Sequence, residues 1–351
     1  MFYLMLAMRR IVKRALGRCV VPLAQKLPRG RRFLRPIGAR TSEGFFGDRI
    51  VSIQTTKHRS LRLTNLDESY LAFQLFWHGG HYYEPITRAL VEVLLQPGDV
   101  FLDIGAHIGF FSLTAALSID GLKVIAFEPN PKNFRILKAN AAINGLANLA
   151  CEPVAISDQE GTATLYLTES DMSASLMKDF QAEDTQQIDS IEVRTATLDS
   201  YLERHGVQGP LLIKVDIEGY EPAFFRGAAK TIAKHKPDII LEVLYDQEPE
   251  LVSRLKSLGY HFYPITDEGL FELPAPRLIK RFPFLFLNHL LSTKPKHELA
   301  AIFNRVGEAI RGIDLLETSK HFPKEQWPSL WQAQPQTDNT RPRARGQMLR
   351  D

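Results

Sequence analysis

The chain has 351 residues, long enough to bury a sizeable core, and its 44% hydrophobic and 24% charged content is that of an ordinary globular protein. A net charge of +3 does not mark the whole chain for nucleic acid, but residues 1–40 carry eleven Lys or Arg and no acid, which leaves the remainder net negative. Two cysteines far apart in the chain, Cys19 and Cys151, exclude a disulfide framework or a zinc cluster and suit a reducing compartment.

The first 20 residues pattern as a basic amphipathic helix. Met8, Ile11, Val12, Ala15, Leu16, Cys19 and Val20 recur at helical spacing, with Arg9, Arg10, Lys13, Arg14 and Arg18 on the other side. Two outcomes fit: an interfacial helix on an anionic membrane, or a terminal helix docked on the domain with a solvated basic face. No apolar run reaches bilayer length, and positive charge follows rather than precedes MFYLMLAM. Neither a membrane span nor a secretory signal is therefore expected, and the expected location is the cytoplasm, with this helix as a candidate peripheral anchor at the inner face of the membrane. A basic linker, KLPRGRRFLRP, comes next.

IVSIQTT and SLRLTNL then read as strands, and WHGGHYYEPITRALVEVLL as a loop and helix. Pro97-Gly98 punctuates the entry to a strand, VFLDI, followed by a glycine turn and an apolar helix, FFSLTAALS. KVIAFE is a second core strand, and PKNFRILKANAAI a helix stopped by Asn144-Gly145. ACEPVAI, LLIKVDI and DIILEVL read as the third, fourth and fifth strands, with EPAFFRGAAKTIAKH as a helix before the last. Near-continuous apolar strands alternating with helices predict a parallel sheet covered on both faces. A polar stretch, roughly 159–197, holds two strand-like runs (ATLYL and IEVRTA) and is the candidate acceptor-binding insertion. FPFLFLNHLL reads as a late strand, HELAAIFNRVGEAIRGI as a terminal amphipathic helix, and the polar tail from about 326 as disorder.

Two acids stand at consecutive strand ends. Asp103 precedes the turn Gly105-Ala-His-Ile-Gly109, and Glu128 ends the next strand, 25 residues on. An acid at the second strand's end is the usual grip on a ribose in an open α/β sheet, and dinucleotides and S-adenosylmethionine both carry one. The turn separates them. A pyrophosphate beside Asp103 would be repelled by about 4 kcal/mol per charge pair at ~4 Å and an effective dielectric of ~20. The turn also lacks the G-x-G-x-x-G rhythm of pyrophosphate sites. S-adenosylmethionine presents an ammonium and a sulfonium instead, which makes Asp103 an attractive partner and disfavours a nicotinamide oxidoreductase.

Asp103-Ile-Gly-Ala-His-Ile-Gly109, Phe127-Glu-Pro129, Asn140 to Asn148, Ala155-Ile-Ser-Asp158, Thr197-Leu-Asp199 and Ile213-Lys-Val-Asp-Ile-Glu-Gly219 occur in this order. Together they resemble the FkbM family of S-adenosylmethionine-dependent methyltransferases, over about residues 83–288. The resemblance implies a class I methyltransferase, Rossmann-like α/β fold: a seven-stranded, mostly parallel sheet with helices on both faces and an antiparallel last strand, for which FPFLFLN is the candidate. It implies Asp103, Gly105 and Gly109 around the methionine portion, Glu128 on the ribose, Ala155 and Asp158 beside the adenine, and Glu84 as an acid near the cofactor. His107 departs from the family, which more often has Asn there; it can still donate a hydrogen bond to the cofactor. On this reading residues 1–42 form the basic helix and linker, 43–95 a lead-in packing on the core, 96–291 the catalytic domain, 292–325 a C-terminal helix and 326–351 the tail.

Asp216 ends a buried apolar strand, where an unpaired acid is costly, and is the first candidate catalytic residue. Glu218 is the second, as base or acceptor ligand, against the plainer reading of an acid at a helix start. Glu242, ending the fifth strand, can face the acceptor. Asp216, Glu242 and a histidine offer ligands for a divalent metal, but no tight ligand spacing in the sequence supports one. The activity that the resemblance implies is O-methylation of a small-molecule, sugar, glycan or polyketide-type acceptor, with no nucleic-acid partner expected; a non-catalytic cofactor-binding scaffold is the competing class.

Overall fold

The computed structural model describes residues 46, 49–54, 59–81, 83–168, 174–177, 187–245, 247–281, 284–311 and 313. The basic N-terminal helix, Cys19 and the polar tail lie outside them. Its centre is a seven-stranded sheet made of β3 (Val100–Ile104), β4 (Lys123–Phe127), β5 (Leu149–Glu152), β10 (Leu211–Val215), β11 (Asp238–Glu242), β12 (His261–Pro264) and β15 (Asn288–Ser292). The spatial order is β12-β15-β11-β10-β3-β4-β5. The pairs from β5 through to β11 are parallel, and β15 runs antiparallel to both β11 and β12. This is the doubly wound, class I arrangement that the strand and helix alternation predicts, and β3, β10 and β11 are buried along their whole length as such a sheet requires.

Two helical layers cover it. On one face, Phe101, Val124, Ala126, Leu212, Ile240 and Leu290 pack with α1 (Tyr70–His78), α2 (Pro85–Leu94), α3 (Phe110–Ser118), α4 (Pro131–Asn144) and α9 (Lys296–Ala309). On the other, Leu102, Ile104, Ile213, Val215, Ile239 and Leu241 pack with α5 (Leu198–Arg204), α6 (Glu221–Gly227), α7 (Ala229–His235) and α8 (Pro249–Ser257). Successive strand residues alternate between the two cores. By that parity Asp103, Lys214, Glu242 and Asn288 all lie on the face carrying α2 and α3.

Three sequence readings need correction. ACEPVAI is not one strand: Pro153 has no N–H to continue the ladder, so β5 stops at Glu152 and β6 (Ala155–Ile156) joins another sheet. That sheet has the order β6-β9-β7-β8 and is built from the polar insertion, as β7 (Gly161–Thr168), β8 (Ala174–Ser175) and β9 (Gln187–Ala196). FPFLFLN is not the antiparallel core strand either. Phe284–Phe286 (β14) pairs with Ile279–Arg281 (β13) in a separate hairpin, and the core strand starts at Asn288. An unbroken apolar run carries no alternation to set its register. The sheet also gains an edge strand, β12, that the pattern reading does not mark.

The lead-in hairpin, β1 (Val51–Gln54) with β2 (Ser60–Leu63), is stitched to the core by Asn140. This fully buried amide accepts from Thr64 N at 3.0 Å and donates to Ile108 O at 3.2 Å, joining the hairpin, α4 and the glycine turn. Asn140→Ala leaves both groups unpaired, and urea unfolding should show a loss of about 2–4 kcal/mol.

Candidate active site

The turn after β3 is held by its own protein. Gly105 N and Ala106 N both donate to Phe127 O, His107 N donates to Glu128 Oε2 at 2.7 Å, and Gly109 N donates to Ala106 O. A pyrophosphate would find none of these four N–H groups available, which adds a structural reason to the electrostatic one against a dinucleotide. Gly105 and Gly109 both have positive φ. A Cβ on Gly105 would sit 1.8 Å from the Asp216 carbonyl oxygen, and one on Gly109 would sit 2.3 Å from Leu137 Cδ1. Close packing against β10 and α4 thus gives each glycine a structural reason of its own, beside the place around the methionine portion that the resemblance implies.

His107 enters through its main chain, at φ 53°. Asn and His are among the residues that tolerate this left-handed conformation, which accounts for the exchange of one for the other here. Its N–H and that of Asn130, at 2.8 Å, take one oxygen each of Glu128. Asp103 is 1% exposed, and its Oδ2 accepts from Ser112 N at 3.1 Å and Ser112 Oγ at 2.5 Å in the first turn of α3. Its Oδ1 is buried with no partner. Burial raises the Asp103 carboxyl against the lowering by Lys214 and Ser112.

Lys214 is the register neighbour of Asp103 and lies on the same face. Its ammonium contacts Asp216 Oδ2 at 2.6 Å and stands 4.6 Å from the Phe111 ring centre. Burial alone would lower it, but the charges of Asp216, Glu84 and Asp103 hold it above the ordinary lysine range. Burial raises Asp216 too, yet the lysine prevails and holds it low. Asp216 is 18% exposed, so solvent reaches the pair from its side. Glu84 precedes Pro85 at the start of α2 with φ 40°, and its Oε2 accepts from Asn288 Nδ2 at 2.8 Å. Half-buried Glu218 has φ 55°, and its carbonyl accepts from Ser175 Oγ at 2.7 Å, which ties the inserted sheet to this turn. Burial, then Asp216 and Glu221, push Glu218 up; burial, then Asp216 and Glu218, push Glu242 up.

The structure thus brings Glu84, Asp103, Asp216, Glu218 and Glu242 into one electrostatic neighbourhood, with Glu128 beside Asp103. Asp158 is engaged elsewhere: its Oδ2 accepts from Arg226 Nε at 2.8 Å, and Ser157 Oγ bonds its Oδ1 at 3.3 Å. Buried Ala155 is in β6, paired with Thr195. Sequence reasoning missed Ser112, Ser175 and Asn288. No pattern marks the two serines, and Asn288 becomes visible only once β15 is placed against β11. Where the spacing offered no ligand set, Asp216, Glu218 and Glu242 converge, one carboxylate oxygen from each within 4.8 Å of the others. No helix among the described residues is long and apolar enough to cross a membrane.

The model of the FkbM methyltransferase domain matches residues 103–262. The chain is 30% identical over 201 residues to the 31-O-demethyl-FK506 methyltransferase FkbM of Streptomyces tacrolimicus, covering 50% of this chain and 76% of that protein. It is 25% identical over 174 residues to the hexuronic acid methyltransferase AglP of Haloferax volcanii, covering 50% and 67%. A solved structure of methyltransferase FkbM from Methylobacillus flagellatus matches with a TM-score of 0.37 and 16% identity, over 63% of this chain and about half, 52%, of that one.

Glu128 carries a pH signature. Burial, only partly offset by the N–H groups of Asn130 and His107, raises its carboxyl from 4.5 to about 8. A raised folded-state value means that the stabilising contribution is complete below the unfolded value and is lost as pH climbs through the folded one. In urea titrations, the stability of the wild type relative to Glu128→Gln should fall by a few kcal/mol between about pH 5 and about pH 8, since each pKa unit corresponds to about 1.4 kcal/mol.

Proposed function

Because the chain belongs to the FkbM methyltransferase family, we propose that it transfers the methyl group of S-adenosylmethionine to an oxygen, a hydroxyl on a sugar, glycan or polyketide-type acceptor. One observation carries the cofactor reading. Asp103 presents a buried carboxylate oxygen with no protein partner, beside a second strand-end acid, Glu128. A cationic amino group satisfies the first, and ribose hydroxyls suit the second, whose oxygens are held in place by the His107 and Asn130 N–H groups. Bound there, S-adenosylmethionine supplies a methyl group already activated by its sulfonium.

The protein's own part is alignment and proton handling. Asp103 and Glu128 fix the cofactor over the ends of β3 and β4. Asp216 and Glu218, at the end of β10, face the acceptor as proton acceptor or hydroxyl ligand, with Glu242 beside them. Glu84 stands near the cofactor from the start of α2. The inserted sheet, joined to the Glu218 turn through Ser175, forms one wall of the acceptor pocket. Ala155 and Asp158 remain the candidates for the adenine side, Asp158 with Arg226 as its present partner. The catalytic domain spans 96–291, with the described residues of 43–95 packed on it. The relatives named for a demethyl-FK506 and a hexuronic acid acceptor support a hydroxylated small molecule or sugar as the acceptor class.

Calorimetry with S-adenosylhomocysteine separates the roles. Asp103→Asn and Glu128→Ala should each weaken binding by about 10–100-fold, the loss of one carboxyl group's hydrogen bonds to the cofactor. Asp216→Asn should bind it like the wild type yet lose labelled-methyl transfer to an acceptor fraction. Unchanged affinity in Glu128→Ala would refute the reading.

A further inference from the structure

Asp216 and Glu218 come from the turn after β10, and Glu242 from the end of β11. Parallel pairing of these strands carries their ends to one edge, where the three carboxylates meet. Glu84 adds a fourth acid to the same field, against the single ammonium of Lys214, which engages Asp216 through Oδ2. Like charges gathered this closely repel unless a cation or protons stand between them.

Acids alone would not identify a ligand, but a neutral side chain points the same way. Asn288 lies directly opposite Glu242 in the antiparallel β11–β15 pair, so the two side chains share one face. Asn288 is 8% exposed, and the donation of its Nδ2 to Glu84 fixes which way the amide is turned. That leaves its Oδ1 buried with no hydrogen-bond partner, and Glu242 Oε2 is buried without one as well. Two acceptors sealed side by side without a donor call for an electropositive ligand, since each orphaned acceptor costs about 1–3 kcal/mol.

We propose that Asp216, Glu218, Glu242 and the amide oxygen of Asn288 form a site for one hard divalent cation, of the magnesium or manganese kind. An all-oxygen donor set selects such ions over zinc or copper. On an octahedral ion with bonds of about 2.1 Å, cis oxygens lie about 3 Å apart and trans oxygens about 4.2 Å, so a set lying within 4.8 Å draws together on binding. The function of the ion rests on the acceptor reading above: at the carboxyl edge of β10 and β11 it would anchor a hydroxyl-bearing acceptor, a job for which Lys214 is already committed to Asp216.

Manganese(II) titration of the full chain, followed by the loss of the free-ion paramagnetic resonance signal, tests this without an acceptor. The expected result is saturable binding of one ion per chain, displaced by magnesium and weakened about tenfold or more by Glu242→Gln and by Glu218→Gln. Glu218 is half-buried in a turn, so its variant remains informative if the Glu242 variant does not fold. No saturable binding by the folded wild type, or full binding in the folded variants, overturns the site. Calorimetry with S-adenosylhomocysteine on the same samples keeps the two readings apart: manganese uptake without nucleoside uptake refutes the cofactor assignment and leaves the metal site standing.

Discussion

Lys214 places an ammonium on the inner face of a buried strand, 2% exposed, where an unpaired charge would be prohibitive. It is kept there by Asp216, Glu84 and Asp103, and by the face of the Phe111 ring. The dependence is mutual, since those acids are themselves drawn from water. Removing one partner of such a buried pair typically costs about 3–5 kcal/mol, because the other charge is left uncompensated. The lysine therefore couples the strand-end acid Asp103 to Asp216 and Glu84, and the three carboxylates share one balance of charge.

That balance is set in place by backbone geometry. β3 and β10 pair so that Asp103 and Lys214 are neighbours, and Asp216 N donates to Ile104 O as the two strands part. The turn after β3 then packs directly on the Asp216 carbonyl, leaving space only for a glycine at position 105. The first turn of α3 fixes Asp103 through Ser112, and the start of α2 brings Glu84 over the same edge. Positive φ at Glu84, His107 and Glu218 marks where the chain bends sharply to do this. Non-glycine residues in that region store strain of order 1–3 kcal/mol each, which the surrounding packing must offset.

The strand and helix alternation of the central domain was legible because parallel strands buried on both faces leave unbroken apolar runs ending in polar residues. Asp103 and Glu128 were legible for the same reason: each is the acid at the end of such a run. The failures have a common cause. ACEPVAI and FPFLFLN are also apolar runs, but their division between sheets depends on which edge accepts them, and in the second nothing in the residue order specifies the register. Asp158 was legible from its motif, but its ion pair with Arg226, 68 positions away, was not.

Local chemistry in the sequence determined that a glycine turn preceded by a carboxylate would disfavour a phosphorylated ligand, since like charges repel whatever the fold around them. It also determined the two helical layers and the parallel core, which follow from burial of alternating and continuous apolar segments. Only the tertiary structure decided that Glu242 and Asn288 stand opposite each other, that Lys214 stands beside Asp103, and that three acids from two strand ends meet. Those contacts arise from strand order and register, which are settled by the packing of whole faces rather than by any residue's neighbours in the chain.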